Sequence, residues 1–316
     1  MIFLGTHEVP PTCIWVITGS NSGLGLAIAE HVLSQGDTVI ATVRSMEKFP
    51  ASLRDGGARP LILDLESSDE DIRRAAVEAI GIFGRVDVLV NNAGTNSAVG
   101  PIEEIGMDAV RQQFQQNFFG ALAFTQPFIA HFRLQHSGHI LNISSIGSYM
   151  NRAALGVYSG SKSAFDSVSE ALATEVAPYG VRVYIIMPGY FPTNIFSSHP
   201  QYTPDHPDDE GTPVAPGLSK VYTLESQGYN IINRIPRIMR AVGKGGDSAK
   251  LARRLYEIVT DSGIAKEIRL KEQRWIRIPM GQDGGEAILQ KLEANLEGFK
   301  DTEPIWRSTD TAEAEL

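Results

Sequence analysis

The sequence predicts a doubly wound α/β fold: a parallel sheet of about seven strands with helices on both faces. Three observations lead to this fold class. Short apolar runs alternate with longer stretches of helical periodicity along the 316 residues. The runs are apolar throughout instead of alternating with polar residues, which is typical of strands covered on both faces. A glycine-rich turn also joins the first apolar run to the first helical stretch.

Signals at the ends of the runs and stretches set the element boundaries. The first helix stops at Gly36. Ser67 and Glu70 form a capping box that opens a later helix. Pro127 predicts a kink or a break in the long helical tract 108–134. The predicted strands are 13–18, 38–43, 60–63, 86–90, 138–143, 181–187 and 275–279, and the other predicted helices are 24–35, 153–177, 248–272 and 285–296.

The chain is predicted to form a single nucleotide-binding domain over residues 1–316. Residues 194–246 differ in composition, because several prolines accompany an acidic run at 208–210. This tract is predicted to be an irregular substrate-binding lid over the active end of the sheet, and the alternative is a mobile acidic loop. Residues 301–316 are polar and acidic, so we expect a flexible tail there.

Composition and charge exclude several classes of function. A net charge of −9 argues against nucleic acid or an anionic membrane surface as the main partner. Cys13 is the single cysteine, so no internal disulfide is possible, and no secretory leader is recognisable at the N-terminus. A cytoplasmic location is therefore expected. No apolar run approaches the ~20 residues that span a bilayer. The histidines lack metal-ligand spacing, which predicts that there is no metal site.

The turn after the first strand has the pattern of a phosphate-binding loop. It reads Gly19-Ser20-Asn21-Ser22-Gly23-Leu24-Gly25. Glycines allow a tight turn and a close backbone approach to a pyrophosphate, and the following helix directs free N–H groups towards it. Because this turn lies between the first strand and the first helix, it predicts a dinucleotide site.

The end of the second strand indicates which dinucleotide is preferred. An NAD site usually has an acidic residue there, which binds the ribose 2′-hydroxyl. This chain has no acid at 41–44, and Arg44 stands there instead. A guanidinium is suited to the 2′-phosphate of NADP, so NADP(H) is predicted to be preferred over NAD(H). The alternative is a solvated surface arginine.

Tyr158 and Lys162 lie four residues apart, on one face of a predicted helix. A neighbouring ammonium favours the phenolate and would lower the tyrosine pKa, so the pair is a candidate general acid/base. Ser145 follows the fifth strand and Asn117 lies in the long helical tract. The predicted catalytic residues are therefore Asn117, Ser145, Tyr158 and Lys162.

With these motifs, the chain resembles the short-chain dehydrogenase/reductase family, and its end resembles members close to the hydroxysteroid and retinol dehydrogenases. The resemblance rests on the glycine turn, Asp64, Asn91-Asn92-Ala93-Gly94, Asn117, Ser145, Tyr158/Lys162, Pro188-Gly189 and Thr193, and it spans about 14–193. It implies a Rossmann-type fold and hydride transfer between a nicotinamide cofactor and a ketone or aldehyde and its alcohol. The implied cofactor-binding residues are Gly19, Asn21, Ser22, Gly23, Leu24, Gly25, Arg44, Asp64, Leu65, Asn91, Ala93, Gly94, Tyr158, Lys162, Pro188, Gly189 and Thr193.

The resemblance also implies a role for each catalytic residue. Tyr158 would exchange a proton with the substrate oxygen, and Ser145 would polarise the carbonyl. Lys162 would lower the pKa of Tyr158 and hold the nicotinamide ribose, and Asn117 would help to hold a water in a proton relay. The family's second basic position is Ser22 here, so the predicted NADP preference depends on Arg44.

Aromatic and apolar residues are predicted to line the substrate end of the site. The candidates are Tyr149, Met150, Tyr190, Phe191, Phe196 and Tyr202. They suit a bulky, mostly apolar ketone or alcohol, although they would equally serve to pack the lid. A homodimer or homotetramer is expected from the resemblance. Two alternatives stay open, namely non-redox chemistry such as isomerisation, dehydration or cyclisation, and cofactor sensing without turnover.

Overall fold

The computed structural model describes residues 12–193, 195, 245–272 and 276–309. One parallel sheet of seven strands contains segments from residue 14 to residue 280. The strands are β1 (Ile14–Ile17), β2 (Thr38–Val43), β3 (Arg59–Ile62), β4 (Val88–Asn91), β5 (Gly138–Ile143), β6 (Val181–Pro188) and β7 (Arg277–Met280). Helices cover both faces of this sheet, so the predicted doubly wound α/β fold is confirmed.

Helices connect consecutive strands throughout the sheet. They are α1 (Gly23–Ser34), α2 (Ala51–Asp55), α3 (Asp69–Phe83), α4 (Met107–Phe114), α5 (Gly120–Gln135), α6 (Gly147–Met150), α7 (Gly156–Val176), α8 (Ser248–Thr260), α9 (Gly263–Glu267), α10 (Gln282–Asp301) and α11 (Glu303–Arg307). A π-helical turn, Gln115–Phe119, separates α4 from α5. Short 3₁₀ turns lie at Met46–Lys48, Ile102–Glu104, Ala177–Tyr179 and Leu270–Glu272.

The strand order is β3-β2-β1-β4-β5-β6-β7. Successive strands are added on one side of β1 up to β3, and from β4 onwards they are added on the other side, so the order of addition switches between β1 and β4. These two strands are parallel and pair from Trp15 with Val88 to Ile17 with Val90. In sheets of this kind, the crevice at the carboxyl ends of the strands, next to such a switch, is where ligands bind. The topology therefore predicts that the residues that follow β1, β4, β5 and β6 form the ligand site.

Two hydrophobic cores sandwich the sheet, because successive side chains of a strand point to opposite faces. On β1, Trp15 and Ile17 belong to the core formed with α1 and α8, whereas Val16 belongs to the core formed with α3, α5 and α7. Phe124 and Phe128 are fully buried in this second core, with ring centroids 5.2 Å apart. Cores on both faces explain why the central strands are apolar at most positions.

The predicted start of α3 and the predicted place of interruption in the long helical tract were both wrong. Ser68, and not Ser67, caps α3: its hydroxyl accepts a hydrogen bond from the backbone N–H of Asp71 at 3.2 Å. Ser67 and Ser68 are each followed by an acidic residue three positions later, so the pattern alone did not distinguish them. The long tract is interrupted by the π-helical turn, and Pro127 lies inside the continuous helix α5.

The end of the chain differs in part from the expected flexible tail. Residues 303–307 form the helix α11, in which Pro304 occupies a first-turn position that does not require an N–H donor. Residues 310–316 lie outside the described part of the chain, as does almost all of the predicted lid, including Phe196 and Tyr202.

Candidate active site

A cavity of about 450 Å³ lies at the carboxyl ends of the central strands. It runs from Arg44 and Asp64 after β2 and β3, past the glycine turn, to Ser145 and Tyr158. The predicted site residues that line it are Gly19, Asn21, Ser22, Gly23, Leu24, Arg44, Asp64, Leu65, Ala93, Gly94, Ser145, Met150, Tyr158, Lys162, Pro188, Gly189, Tyr190, Phe191 and Thr193. One cavity thus brings together both halves of the predicted site.

The glycine turn has the backbone conformation that its sequence predicts. Gly19 has φ +67° and Gly23 has φ +57°, both in the left-handed region. A Cβ on Gly19 would come within 3.0 Å of the Cα of Ala93. Gly25 does not line the cavity: a Cβ there would come within 2.4 Å of the carbonyl oxygen of Gly19, so Gly25 allows the turn to close.

The segment after β4 holds this turn in place. The side-chain amide of Asn92 donates to the carbonyl of Thr18 at 2.8 Å and to that of Gly19 at 3.2 Å. In return, the Thr18 hydroxyl accepts the backbone N–H groups of Asn92 and Ala93, both at 2.9 Å. The loops after β1 and β4 are therefore one hydrogen-bonded unit.

Asn91 supports the site without lining the cavity. Its buried amide donates to Asn142 Oδ1 on β5 at 2.8 Å and to the Thr125 hydroxyl on α5 at 2.9 Å. Asn142 in turn donates to the Ser169 hydroxyl on α7 at 2.7 Å. This buried chain of polar groups joins two central strands to two helices, and Asn91 lies at its centre.

Two polar side chains lie so close to Gly94 that there is little room for a side chain at this position. A Cβ at this position would lie 3.1 Å from Asn117 Oδ1 and 3.3 Å from Lys162 Nζ. The ammonium of Lys162 is buried and donates to the carbonyl of Ile143, at the end of β5, at 2.8 Å. The small residue after β4 therefore leaves room for the lysine to reach the cavity.

Asn117 lies in the π-helical turn, a type of distortion frequent at functional sites. Its amide nitrogen donates to the Thr95 carbonyl at 2.9 Å and to the Ser161 hydroxyl at 3.1 Å, and its oxygen accepts the Thr95 N–H at 2.9 Å. Asn117 does not line the cavity. Its contacts tie the loop after β4 to α7, beside Lys162.

Ser145 and Tyr158 meet at the opposite side of the cavity. The Ser145 hydroxyl accepts the backbone N–H of Gly147 at 2.9 Å. A Cβ on Gly147 would lie 3.1 Å from the Ser145 hydroxyl and 3.3 Å from the Tyr158 ring, so the glycine permits their approach. The neighbouring Ser144 is buried, and its backbone N–H bonds the carbonyl of Ile186 on β6 at 2.7 Å, as expected for a structural residue.

The pKa of Tyr158 is shifted upwards in this structure, whereas the sequence pattern predicted a downward shift. Burial raises this pKa above its ordinary value, although a hydrogen bond with Ser145 opposes the rise. Burial also lowers the pKa of Lys162 to about 8, while the carboxylate of Asp166 acts in the opposite direction. The spacing of Tyr158 and Lys162 indicated a nearby ammonium but not the depth of burial, and burial is the largest influence on the pKa of Tyr158.

The predicted substrate residues are divided between the cavity and the core. Met150, Tyr190 and Phe191 line the cavity, and Phe191 also packs into the core on the α1 side. Tyr149 does not line it. Its ring packs beside Ile146 and Ile185, and the guanidinium of Arg277 lies 5.7 Å from its centroid.

Several lining residues were missed. The largest omission is Arg152, on the loop between α6 and α7, because the sequence pattern predicted an aromatic and apolar lining. Its position between Ser145 and Tyr158 was the available signal. Ser159 was also missed: its buried hydroxyl lines the cavity and has no hydrogen-bond partner among the described residues. The other omissions are Thr42, Val43, Leu63, Asn92, Thr95, Gln116, Ile143, Ser144, Ile146, Gly147, Leu155 and Ile195.

Metal-binding clusters and membrane-spanning helices are both absent from the described part of the chain. Within residues 12–193, 195, 245–272 and 276–309, no three His, Cys, Asp or Glu side chains are grouped so as to hold a metal ion. No helix in those ranges is long and apolar enough to cross a bilayer. Cys13 is buried, and burial raises its pKa to about 12, which agrees with the role of a small core residue and not of a nucleophile.

Comparison with known proteins decides the family. A family model described as "short chain dehydrogenase" matches residues 14–202, which is more than half of the chain. The chain belongs to the short-chain dehydrogenase family. Its oxidoreductase relatives and the Rossmann-like fold confirm the resemblance that the motifs indicated.

Two curated relatives of this short-chain dehydrogenase are similar over a little more than half of the chain. An oxidoreductase of Botryotinia fuckeliana, BOA17, is 37% identical over 182 residues, covering 56% of this chain and 65% of the relative. A 3-ketodihydrosphingosine reductase of Bacteroides thetaiotaomicron is 38% identical over 180 residues, covering 57% and 64%. The matches therefore span just under two thirds of the relatives' own lengths.

Two solved structures are similar to the chain, and one of them covers nearly all of it. A short-chain dehydrogenase from Streptomyces avermitilis has a TM-score of 0.72 and 31% identity, and covers 96% of this chain and all of its own. A 3-ketoacyl-(acyl-carrier-protein) reductase from Brucella melitensis, complexed with NADH, has a TM-score of 0.56 and 28% identity, and covers 59% and 79%.

Proposed function

We propose that this short-chain dehydrogenase is an NADP(H)-dependent oxidoreductase that interconverts a bulky, mostly apolar ketone or aldehyde and its alcohol. The observation that carries the proposal is the single cavity that contains the glycine turn at one end and Ser145, Tyr158 and Lys162 at the other. A dinucleotide is an elongated ligand, and this cavity has phosphate-binding and acid–base groups in the order that such a ligand requires.

The residues present fit a nicotinamide cofactor. The left-handed glycines leave the backbone at the turn uncovered, and Ser22 precedes the first N–H groups of α1. Thr193 packs against the turn, 3.4 Å from where a Cβ on Gly23 would lie. Gly94 keeps the space in front of Lys162 open. When bound, the cofactor supplies or accepts the hydride.

Arg44 supports the preference for NADP(H). It lines the far end of the cavity with Asp64, and its exposed guanidinium has no carboxylate within salt-bridge distance among the described residues. A phosphate is the kind of group that such a side chain binds through two parallel hydrogen bonds. The Brucella reductase is complexed with NADH, so both cofactors belong in the test.

Ser145 and Tyr158 supply the proton chemistry. With a raised pKa, Tyr158 is protonated at neutral pH and is therefore ready to donate its proton to a substrate carbonyl oxygen. Ser145 holds the same oxygen by a second hydrogen bond and keeps it in line with the phenol. Lys162, fixed by the carbonyl of Ile143, places a positive charge beside the group that passes the proton on. These roles favour the reduction direction.

The experiment is a fluorescence titration of the full chain with NADPH and with NADH, followed by an absorbance screen of apolar ketones and aldehydes. Tighter binding of NADPH and substrate-dependent loss of nicotinamide absorbance are the expected results. Equal affinities would contradict the cofactor preference. Binding without any redox change across the panel would instead favour non-redox chemistry or cofactor sensing.

A further inference from the structure

Arg152 and Tyr190 meet at the substrate end of the cavity. The guanidinium of Arg152 donates a hydrogen bond to the Tyr190 hydroxyl and lies 5.5 Å from the centroid of its ring. Both residues line the same cavity as Ser145 and Tyr158. A cation is thus built into a wall that otherwise includes apolar residues such as Met150.

The backbone around Arg152 is held in an uncommon conformation. Asn151 has φ +43° and Ala154 has φ +65°, so two non-glycine residues in the left-handed region flank the arginine. Non-glycine residues in this region are uncommon and gather at functional sites. The carbonyl of Ala154 accepts the N–H of Gly100 at 2.9 Å, and the carbonyl of Arg152 accepts the N–H of Leu155 at 3.1 Å. The loop therefore holds Arg152 at a defined place.

Tyr190 is anchored on its own side of the cavity. Its backbone N–H donates to Asp283 Oδ2 at 2.8 Å, and its carbonyl accepts the N–H of Gly246 at 2.7 Å. Burial raises the pKa of Tyr190, with Arg152 acting against this rise and Asp283 adding to it. The phenol is consequently neutral near pH 7, and its contact orients Arg152 without cancelling the positive charge.

The charge of Arg152 has no carboxylate counterpart in the described part of the chain, where its side chain forms no salt bridge. A guanidinium has five N–H donors in a planar fork that matches a carboxylate. The contact with Tyr190 occupies one nitrogen, Nη1, so the donors on the other two nitrogens are available to a ligand in the cavity.

We propose that Arg152 binds an oxyanion of the substrate, so that the substrate is an amphipathic ketone or alcohol carrying a carboxylate away from the reacting carbon. Met150, Leu155 and Phe191 would contact its apolar part. This inference rests on the proposed redox function and narrows its substrate class from apolar to amphipathic and anionic.

The kinetic test compares medium-chain keto acids with their methyl esters in the wild-type protein and in Arg152→Met, which keeps side-chain length without charge. We expect KM for the acid to rise about 10- to 100-fold in the variant with kcat nearly unchanged, as for loss of hydrogen bonds to a charged group. The ester should be turned over equally by both proteins. Arg152→Lys should recover part of the loss, because it keeps the charge but not the fork.

A binding test without turnover separates this inference from the redox proposal. Calorimetry of the NADPH-loaded protein would use octanoate, octyl phosphate and octanamide as probes. Arg152-dependent binding of either anion supports the oxyanion site, and the tighter of the two identifies carboxylate or phosphate. If the anions bind in this way but no carbonyl compound is reduced, the redox proposal fails and the oxyanion site stands.

Three outcomes would overturn the oxyanion site. The first is an equal loss of acid and ester turnover in Arg152→Met, which would indicate a structural role. The second is a selective loss of NADPH affinity, which would assign Arg152 to the cofactor. The third is equal wild-type affinity for octanoate and octanamide. A melting temperature within a few degrees of wild type checks that the variant is folded.

Discussion

Asp166 and Arg277 form an ion pair 3.0 Å long that joins α7 to β7, the last strand of the sheet. Asp166 lies one helical turn after Lys162, and its side chain is only 1% exposed. Arg277 also reaches Glu170 at 2.6 Å. Burial raises the pKa of Asp166, and the guanidinium of Arg277 opposes that rise. The orientation of α7, which carries Tyr158 and Lys162, thus depends on a residue more than one hundred positions away.

Replacing Arg277 by methionine should destabilise the protein by about 3 kcal/mol, because it leaves a buried carboxylate without its partner. The loss should be larger at pH 8 than at pH 5, since an unpaired Asp166 folds more readily when it is protonated. Urea unfolding at both pH values measures this. The double variant Asp166→Leu/Arg277→Met should recover much of the lost stability. A loss below about 1 kcal/mol for Arg277→Met alone would contradict the proposed importance of the pair.

Tyr158→Phe should lower kcat about 10²- to 10⁴-fold while leaving NADPH affinity nearly unchanged, because the change removes only the proton donor. Single-turnover reduction and a fluorescence titration of the same preparation measure the two effects. Tyr184→Phe is a matched control, since Tyr184 is buried on β6 outside the cavity. Near-wild-type turnover in Tyr158→Phe would remove the tyrosine from the proposed mechanism.

The two reaction directions should respond differently to pH. Reduction needs Tyr158 protonated, and its raised pKa keeps it so at neutral pH, so the reduction rate should be flat from pH 6 to pH 8. Oxidation needs the phenolate, so its kcat/KM should rise by about tenfold per pH unit in the same interval. Initial rates in both directions provide the measurement. A plateau of oxidation below pH 8 would show that the working enzyme has a lowered Tyr158 pKa.

Much of the fold follows from local patterns. The run 138–143 predicted β5 at its observed bounds, because a buried parallel strand is apolar at nearly every position. The π-helical turn at Gln115–Phe119 was not predictable in the same way, since one inserted residue hardly changes helical periodicity. The ion pair between Asp166 and Arg277 was also invisible, because no local pattern relates residues so distant in sequence.

In the candidate site, too, the features with a local sequence signal were predicted and those that depend on the whole fold were not. The glycine turn and the Tyr158/Lys162 spacing are local signals, and the cavity contains both. The direction of the Tyr158 pKa shift depends on burial by the whole fold, which the spacing does not encode. Arg152 was missed because a cation at the substrate end has meaning only once its contact with Tyr190 is known.

Arg44→Asp should weaken NADPH binding at least about tenfold, with a much smaller effect on NADH. The change removes a charge-assisted contact to the 2′-phosphate and places a carboxylate near it. Paired fluorescence titrations at one ionic strength measure the ratio of the two dissociation constants. Arg59→Asp, which alters another exposed arginine outside the cavity, controls for net charge. An equal effect on both cofactors would contradict the 2′-phosphate assignment.

His139 on β5 should make the protein sensitive to mild acid. Burial lowers its pKa from 6.5 to about 4, and the charge of Arg182 adds to the decrease. The unfolded chain therefore takes up a proton near pH 6.5 that the folded chain takes up only near pH 4. Between these values the unfolded state binds more protons, so stability falls as the pH decreases from 6.5 to 4 and this contribution is constant below 4.

The size of that effect is at most about 3 kcal/mol, because each pKa unit corresponds to about 1.4 kcal/mol and the imidazole is partly exposed. Urea unfolding of wild type and His139→Gln at pH 7 and pH 4.5 gives the difference directly. The variant should lose less stability on acidification than the wild type, because glutamine does not titrate. His136→Gln, at the exposed end of α5, is the control and should lose as much stability as the wild type between pH 7 and pH 4.5. Parallel losses in wild type and His139→Gln would assign the acid sensitivity to other groups.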